Sequence, residues 1–111
     1  MTILQKLQNN TDGVLENPSL LSEYLITLAS HILTAEKDKT IAEVKYAQKW
    51  SEFRKNEKSD KQCDIKMKLE PEYLELKSKE AMGRTILETI RAIKKRLAFL
   101  AVEYNELSRI N

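Results

Sequence analysis

Apolar residues recur every three or four positions along most of this chain, which is the period of a helix with one buried stripe. The second half carries the clearer stripe: Ile86, Ile90, Ile93, Leu97, Leu100, Tyr104 and Leu107. The first half answers with Leu21, Leu25, Leu28, Ile32, Ala35, Ala42, Tyr46 and Phe53, interrupted by Lys39. "AEKDKTIAE" repeats Ala-Glu after seven residues and so keeps two small residues, Ala35 and Ala42, on the stripe.

Punctuation between the stripes is sparse and fixes the expected elements. Residues 1–13 read as a short amphipathic helix carrying Ile3, Leu4 and Leu7, followed by the turn "NTDG", where Gly13 tolerates positive φ and Asn and Asp bond locally. In "ENPSLL" Asn17 is a cap and Pro18 suits the first helical position, so a long helix is expected over 18–57. A polar tip follows at 58–70, in which Ser59 and Gln62 have capping-box spacing. Pro71 opens a second long helix expected to reach 108. Two long helices with a short joint fold back most simply as an antiparallel hairpin. Pairing counted from the joint sets Tyr46 near Gly83 and Leu28 near Leu100, with Gly83 making room for Tyr46 or Trp50. The fold class expected is all-α: an antiparallel hairpin of two long helices with a short N-terminal helix, assembled into an oligomeric helical bundle.

Composition narrows the picture. The chain has 111 residues, two glycines and two prolines, a length for one domain and too few turn residues for a sandwich or barrel. About a third of the residues are charged, yet the net charge is only +2, so no global field draws the chain to DNA or to an anionic membrane. No apolar run approaches the ~18–20 residues that span a bilayer, and "MTILQKLQNN" has no secretory pattern. A soluble, cytoplasmic protein with no membrane partner is expected, and its single cysteine, Cys63, fits a reducing compartment.

Candidate chemistry is confined to surfaces. One histidine, His31, and one cysteine cannot make a zinc site of the usual kind, and no phosphate loop or nucleophile motif is present. No metal, cofactor, catalytic residue or enzymatic activity is expected. "ETIRAIKKRLAFL" does place five cations against one acid between 84 and 97. At 100° per residue, Lys94, Lys95 and Arg96 fan around the helix; Lys95 falls opposite the stripe, in line with Arg84, Glu88 and Arg91. Lys94 and Arg96 sit on the shoulders. This ridge, with Lys58, Lys61, Lys66 and Lys68 of the tip, either is a solvated face or tracks phosphates with strong salt dependence. Trp50 and Phe53 beside the tip read as core before they read as base-stacking residues. The alternating charges of the tip usually mean a solvated, mobile segment.

Apolar residues also lie off the stripe. Leu20, Ile26 and Leu33 on the first long helix, and Ala98, Phe99 and Val102 on the second, exceed what one partner helix covers. They are expected to form an oligomer interface.

The layout of "EYLITLASHILTAEKDKTIAEVKYAQKW", a polar break and "EYLELKSKEAMGRTILETIRAIKKRL", with "AIKKR" near Ile93, resembles small helical proteins of bacteriophages, most nearly the UvsY-type recombination mediators. The likeness covers roughly 20–107. It implies a helical hairpin in a ring-like oligomer that binds single-stranded DNA and helps load a recombinase, with Lys94, Lys95 and Arg96 as the basic positions carried over. The near-neutral charge and short tip depart from that pattern. A second reading is a phage interaction module, an adaptor or an inhibitor of a host protein, docking through its apolar helix faces; a third is a purely structural bundle subunit.

Overall fold

The computed structural model describes the backbone of residues 2–110 and the side chains of 2–109. The expectations for Met1 and Asn111 lie outside the described residues. The chain is all-α: α1 (Ile3–Gln8), a 3-10 segment (Thr11–Glu16), α2 (Pro18–Arg54), α3 (Asp60–Met67) and α4 (Pro71–Ile110), with no strand among the described residues.

Helix ends sit where the local chemistry places them. Thr2 caps α1 through a capping box with Gln5. Asn10, Asp12 and Gly13 adopt left-handed backbone with φ of 47°, 55° and 66°, the conformation those residue types tolerate best. The Asn10 side chain ties this turn together, accepting from the Leu15 amide at 2.9 Å and donating to Glu16 at 3.1 Å. Asn17 caps α2, its Oδ1 accepting from the Leu20 amide at 3.1 Å, and Pro18 follows as the first helical residue. Ser59 caps α3 by accepting from the Gln62 amide at 3.2 Å.

The chain forms two compact units, Met1–His31 with Ile86–Asn111, and Ile32–Thr85; α2 and α4 contribute to both. In the first unit Val14, Leu21, Leu28 and Ile93 are buried together, with Ile3, Leu7, Leu25, Ile86, Ile90, Leu97 and Leu100 packed around them. The N-terminal segment thus lays Val14, absent from both stripes, into the middle of the core. Lys6 adds a cation over the Tyr24 ring at 5.5 Å. In the second unit Ala35, Ala42, Cys63, Met67 and Leu76 are buried. Successive buried positions of α2 (Leu21, Leu28, Ala35 and Ala42) fall seven residues apart, the period of a coiled-coil seam.

Three expectations are corrected here. The first long helix ends at Arg54 rather than 57; the tip, which the sequence leaves open between loop and helix, contains α3. Tyr46 packs on Tyr73, ring centroids 6.3 Å apart, not beside Gly83, which is ten residues and about 15 Å further along α4. The cause is α3: its Cys63 donates to the Trp50 carbonyl at 3.4 Å and its Asp64 accepts from the Trp50 indole at 2.8 Å. With α3 occupying the last turns of α2, α4 starts level with Tyr46. Gly83 likewise makes room for nothing, since a Cβ built there meets no atom within 4 Å.

Finally, the α4 stripe is not covered to its end. Leu97 and Leu100 are half-buried, but Tyr104 is 71% and Leu107 61% exposed.

Because Gly83 stands in open space inside a helix, Gly83→Ala is expected to raise stability by roughly 0.5–1 kcal/mol, read from the urea midpoint. Loss of stability would mean that the glycine serves a close contact.

Candidate functional site

The basic ridge divides into free and committed cations. In the first unit Arg91, Lys94 and Lys95 are exposed and make no hydrogen bond or ion pair among the described residues. They lie within about one and a half turns, and the intervening residues, Ala92 and Ile93, are uncharged. Arg96 behaves differently. Its Nε donates to the Leu15 carbonyl at 2.6 Å, its terminal nitrogen faces Glu16 at 3.7 Å, and its guanidinium lies 4.9 Å from the centre of the Phe99 ring. Leu15 closes the 3-10 segment, and Arg96 supplies its carbonyl with a donor from α4. Arg96, expected among the phosphate-binding positions, is therefore a clasp between the N-terminal segment and α4. In the second unit Arg84 is exposed and unpaired.

The tip divides in the same way. Lys58, Lys61 and Lys68 are exposed and make no ion pair among the described residues. Lys66 is held internally: its Nζ is 3.1 Å from Glu57 and 4.8 Å from the centre of the Phe53 ring, with Lys49 also over that ring at 5.3 Å. Arg54 donates to Asp60 and to the Glu57 carbonyl, each at 2.6 Å, stapling the turn between α2 and α3. Phe53 is half-buried beneath two cations, and Trp50 is half-buried and hydrogen-bonded, so neither is a free stacking platform. The tip contains a helix, α3, held to α2 and to the turn between them by these bonds.

Burial leads the forces that push the Cys63 thiol above its ordinary value, with Asp64 and Glu57 adding to it and Arg54 opposing. Burial also leads for the Tyr46 phenol, again raised, with Asp64 and Cys63 assisting and Lys77 opposing. Their adjacency to acidic Asp64 suits neutral, packed groups and not activated ones.

Of the apolar residues expected at an oligomer interface, Leu20 is half-buried against the core cluster and belongs to the fold. Its position beside Leu21 lets the N-terminal segment reach it. Ile26 and Leu33 are each 74% exposed, and Phe99 and Val102 are half exposed or more; Ala98 is exposed too. Phe99 has one ring face taken by Arg96. Tyr104 and Leu107 join this exposed set. Their seam spacing had hidden them, because spacing does not say where the covering helix begins. In the second unit Leu69, 85% exposed, and Ile65, 57% exposed, are further large apolar side chains left in water.

Two shallow grooves lie on the surface. One of about 290 Å³ is lined by Lys45, Gln48, Lys49, Glu52 and Glu72, where Glu72 Oε2 is buried without a hydrogen-bond partner. The other, of about 390 Å³, lies against Pro18, Leu97, Leu100, Ala101, Tyr104 and Asn105. No cluster of three metal-ligating side chains occurs among the described residues, and His31 is exposed. No helix among them is long and apolar enough to cross a membrane.

Set against protein-family models, curated proteins and solved structures, the chain matches none.

Arg96→Ala should cost about 1–3 kcal/mol, since it strips a charged donor from a part-buried carbonyl, whereas Lys95→Ala should stay within about 0.5 kcal/mol. Parallel urea titrations of the two variants check this, and equal effects would remove the clasp.

The raised Cys63 and Tyr46 values mean that the folded chain keeps these protons longer than the unfolded chain does. Their stabilising contribution is therefore complete below about pH 9, and it is lost as the pH climbs through the folded values. Unfolding midpoints measured from about pH 8 to 11 should fall. Tyr46→Phe with Cys63→Ala should flatten that decline.

Proposed function

We propose that this chain is a non-enzymatic accessory protein that holds single-stranded nucleic acid on its exposed cations and self-associates through its apolar helix faces, in recombination or replication of the bacteriophage type. The observation that carries the reading is the unpaired turn Arg91, Lys94 and Lys95, solvent-facing with no acid between its members. Cations already engaged with carboxylates have little left for a phosphate; these three are free to exchange counterions for it. Arg96, a shoulder position of the group in the sequence, is better understood as what holds the N-terminal segment to α4.

Three phosphate contacts on one copy bind weakly. Self-association arrays such turns and raises avidity without new contacts, which is why an oligomeric helical bundle belongs to the proposal. Arg84 and the tip lysines Lys58, Lys61 and Lys68 are further exposed cations, carried by the second unit. A recombinase is the partner that the resemblance to UvsY-type mediators implies.

A second reading, a protein-interaction module, is favoured by a separate observation: Ile26 and Leu33 are each 74% exposed on α2. Large aliphatic side chains left in water on a helix serve helix-in-groove recognition by a foreign protein as readily as self-association.

Titration of a fluorescent single-stranded oligonucleotide at several salt concentrations distinguishes the readings. Three phosphate contacts predict that log K falls against log salt with a slope of about −2. Arg91→Glu with Lys95→Glu, both on the solvent side of α4, should weaken binding at least about tenfold while leaving the helical circular dichroism unchanged. No binding at low salt, or binding indifferent to that double variant, would overturn the nucleic-acid reading.

A further inference from the structure

We infer, resting on the nucleic-acid reading above, that Glu16 is an internal competitor of phosphate for Arg96. The N-terminal segment holds a fourth cation of the basic turn in reserve. A polyanion lying on Arg91, Lys94 and Lys95 gains that cation by displacing the Glu16 carboxylate.

An arginine presents Nε and one terminal nitrogen along a single edge, and two oxygens of a carboxylate or phosphate fit that edge side by side. In Arg96 the edge is filled from within the chain. Its Nε donates to the Leu15 carbonyl at 2.6 Å, and its Nη2 faces Glu16 Oε1 at 3.7 Å. Oxygens of two neighbouring residues thus stand where two phosphate oxygens would sit. Their hold on the guanidinium is unequal. The Leu15 bond is short and part-buried. The Glu16 pair is longer, and its carboxylate is 62% exposed against 28% for Arg96, so Glu16 is the wet and replaceable half.

Glu16 is nevertheless placed and does not drift past a cation by chance. Its Oε2 accepts from the Asn10 side-chain amide at 3.1 Å, while Asn10 Oδ1 accepts from the Leu15 amide at 2.9 Å. One left-handed residue, with φ of 47°, therefore sets both members of the Leu15–Glu16 pair. Between them and the core lies Val14, fully buried, which anchors the backbone that carries them. The carboxylate can consequently swing into water while Val14 and the Leu15 bond keep the segment in place.

Position makes the pair a competitor instead of a bystander. Arg96 follows Lys95, about 1.5 Å further along α4 and about 100° round it. A strand tracking Lys95 passes beside the Arg96–Glu16 pair and meets a carboxylate there. Seated, Glu16 both neutralises Arg96 and repels phosphate, leaving the three free cations. Displaced, it yields a fourth. The Phe99 ring, 4.9 Å from the guanidinium, supports the same plane in either state. What phosphate gains from Arg96 the N-terminal segment gives up, because two ligands of one group are reciprocally coupled.

The test uses the full-length chain and a fluorescent oligothymidylate. Glu16→Gln removes the charge and keeps an acceptor for Asn10. It should tighten binding at low salt about two- to fivefold, the worth of an exposed pair. Its slope of log K against log salt should steepen from about −2 to about −3, one further phosphate contact. Asp12→Asn makes the same charge change at an exposed acid of the same segment, and should alter affinity less and leave the slope unchanged. Arg96→Gln keeps a donor for the Leu15 carbonyl, and in that background the gain from Glu16→Gln should vanish. Circular dichroism should show equal helicity throughout. Equal effects of Glu16→Gln and Asp12→Asn, or a gain that persists without Arg96, would overturn the competition and leave nucleic-acid binding standing. Binding by neither wild type nor Glu16→Gln would overturn both.

Discussion

Burial along one narrow line is what this fold depends on. A helix can give a single neighbour only a stripe of its surface, and here the stripe on α2 narrows to Leu21, Leu28, Ala35 and Ala42 at one position per seven residues. Among the described residues few large side chains are completely buried: Leu21, Met67, Ile93, Val14 and Cys63. With so little core, stability has to come from devices at the edges. The N-terminal segment adds Val14, α3 adds Cys63 and Met67, and each is fastened by polar bonds rather than by area. Asn10 ties the 3-10 turn, Arg96 holds its far end, Arg54 staples the α2–α3 corner, and Trp50 with Asp64 lays α3 on α2.

What the sequence discloses and what it conceals divide along the same physical line. Helix starts were legible because caps are local chemistry: Asn17 before Pro18, Ser59 before Gln62 and Pro71 at the head of α4 act on atoms within four residues. The stripes were legible because they are periodic. Register was not, because it depends on whether a polar tip of alternating charge folds, and α3 owes its place to the docking of Cys63 and Trp50 instead of to any strong helix signal. The same reason explains Gly83. A glycine facing a stripe position implies a close neighbour only if the register is right, and a shifted register leaves it facing nothing.

The basic ridge shows how far angular reasoning reaches. Helical geometry correctly separates Lys95 from the seam and puts Arg96 on a shoulder. It does not say which shoulder meets an acceptor, because the Leu15 carbonyl is 81 residues away in sequence. The choice of residue type follows once that contact is known. A planar guanidinium can donate to a carbonyl, face a carboxylate and lie over a ring at once, as Arg96 does with Leu15, Glu16 and Phe99. Lysine cannot combine those geometries. Lys94 and Lys95, with no such partner, keep hydrated charges at the surface.

Uncovered seam residues and unpaired cations occupy different levels and different faces of one helix. Within α4, apolar seam residues continue past the end of the covering helix, while the free charges sit a few turns earlier and off the seam. Apolar contact is indifferent to salt over the range where phosphate contacts weaken by orders of magnitude. Under the proposed function, self-association through exposed apolar faces would thus persist as salt rises, and a strand held by Arg91, Lys94 and Lys95 would be released from it. In that proposal, separating the two chemistries along one helix would let a weak, exchangeable grip be multiplied by a contact that does not itself exchange. A single mixed surface, with the same side chains serving both tasks, would lose its assembly and its ligand together.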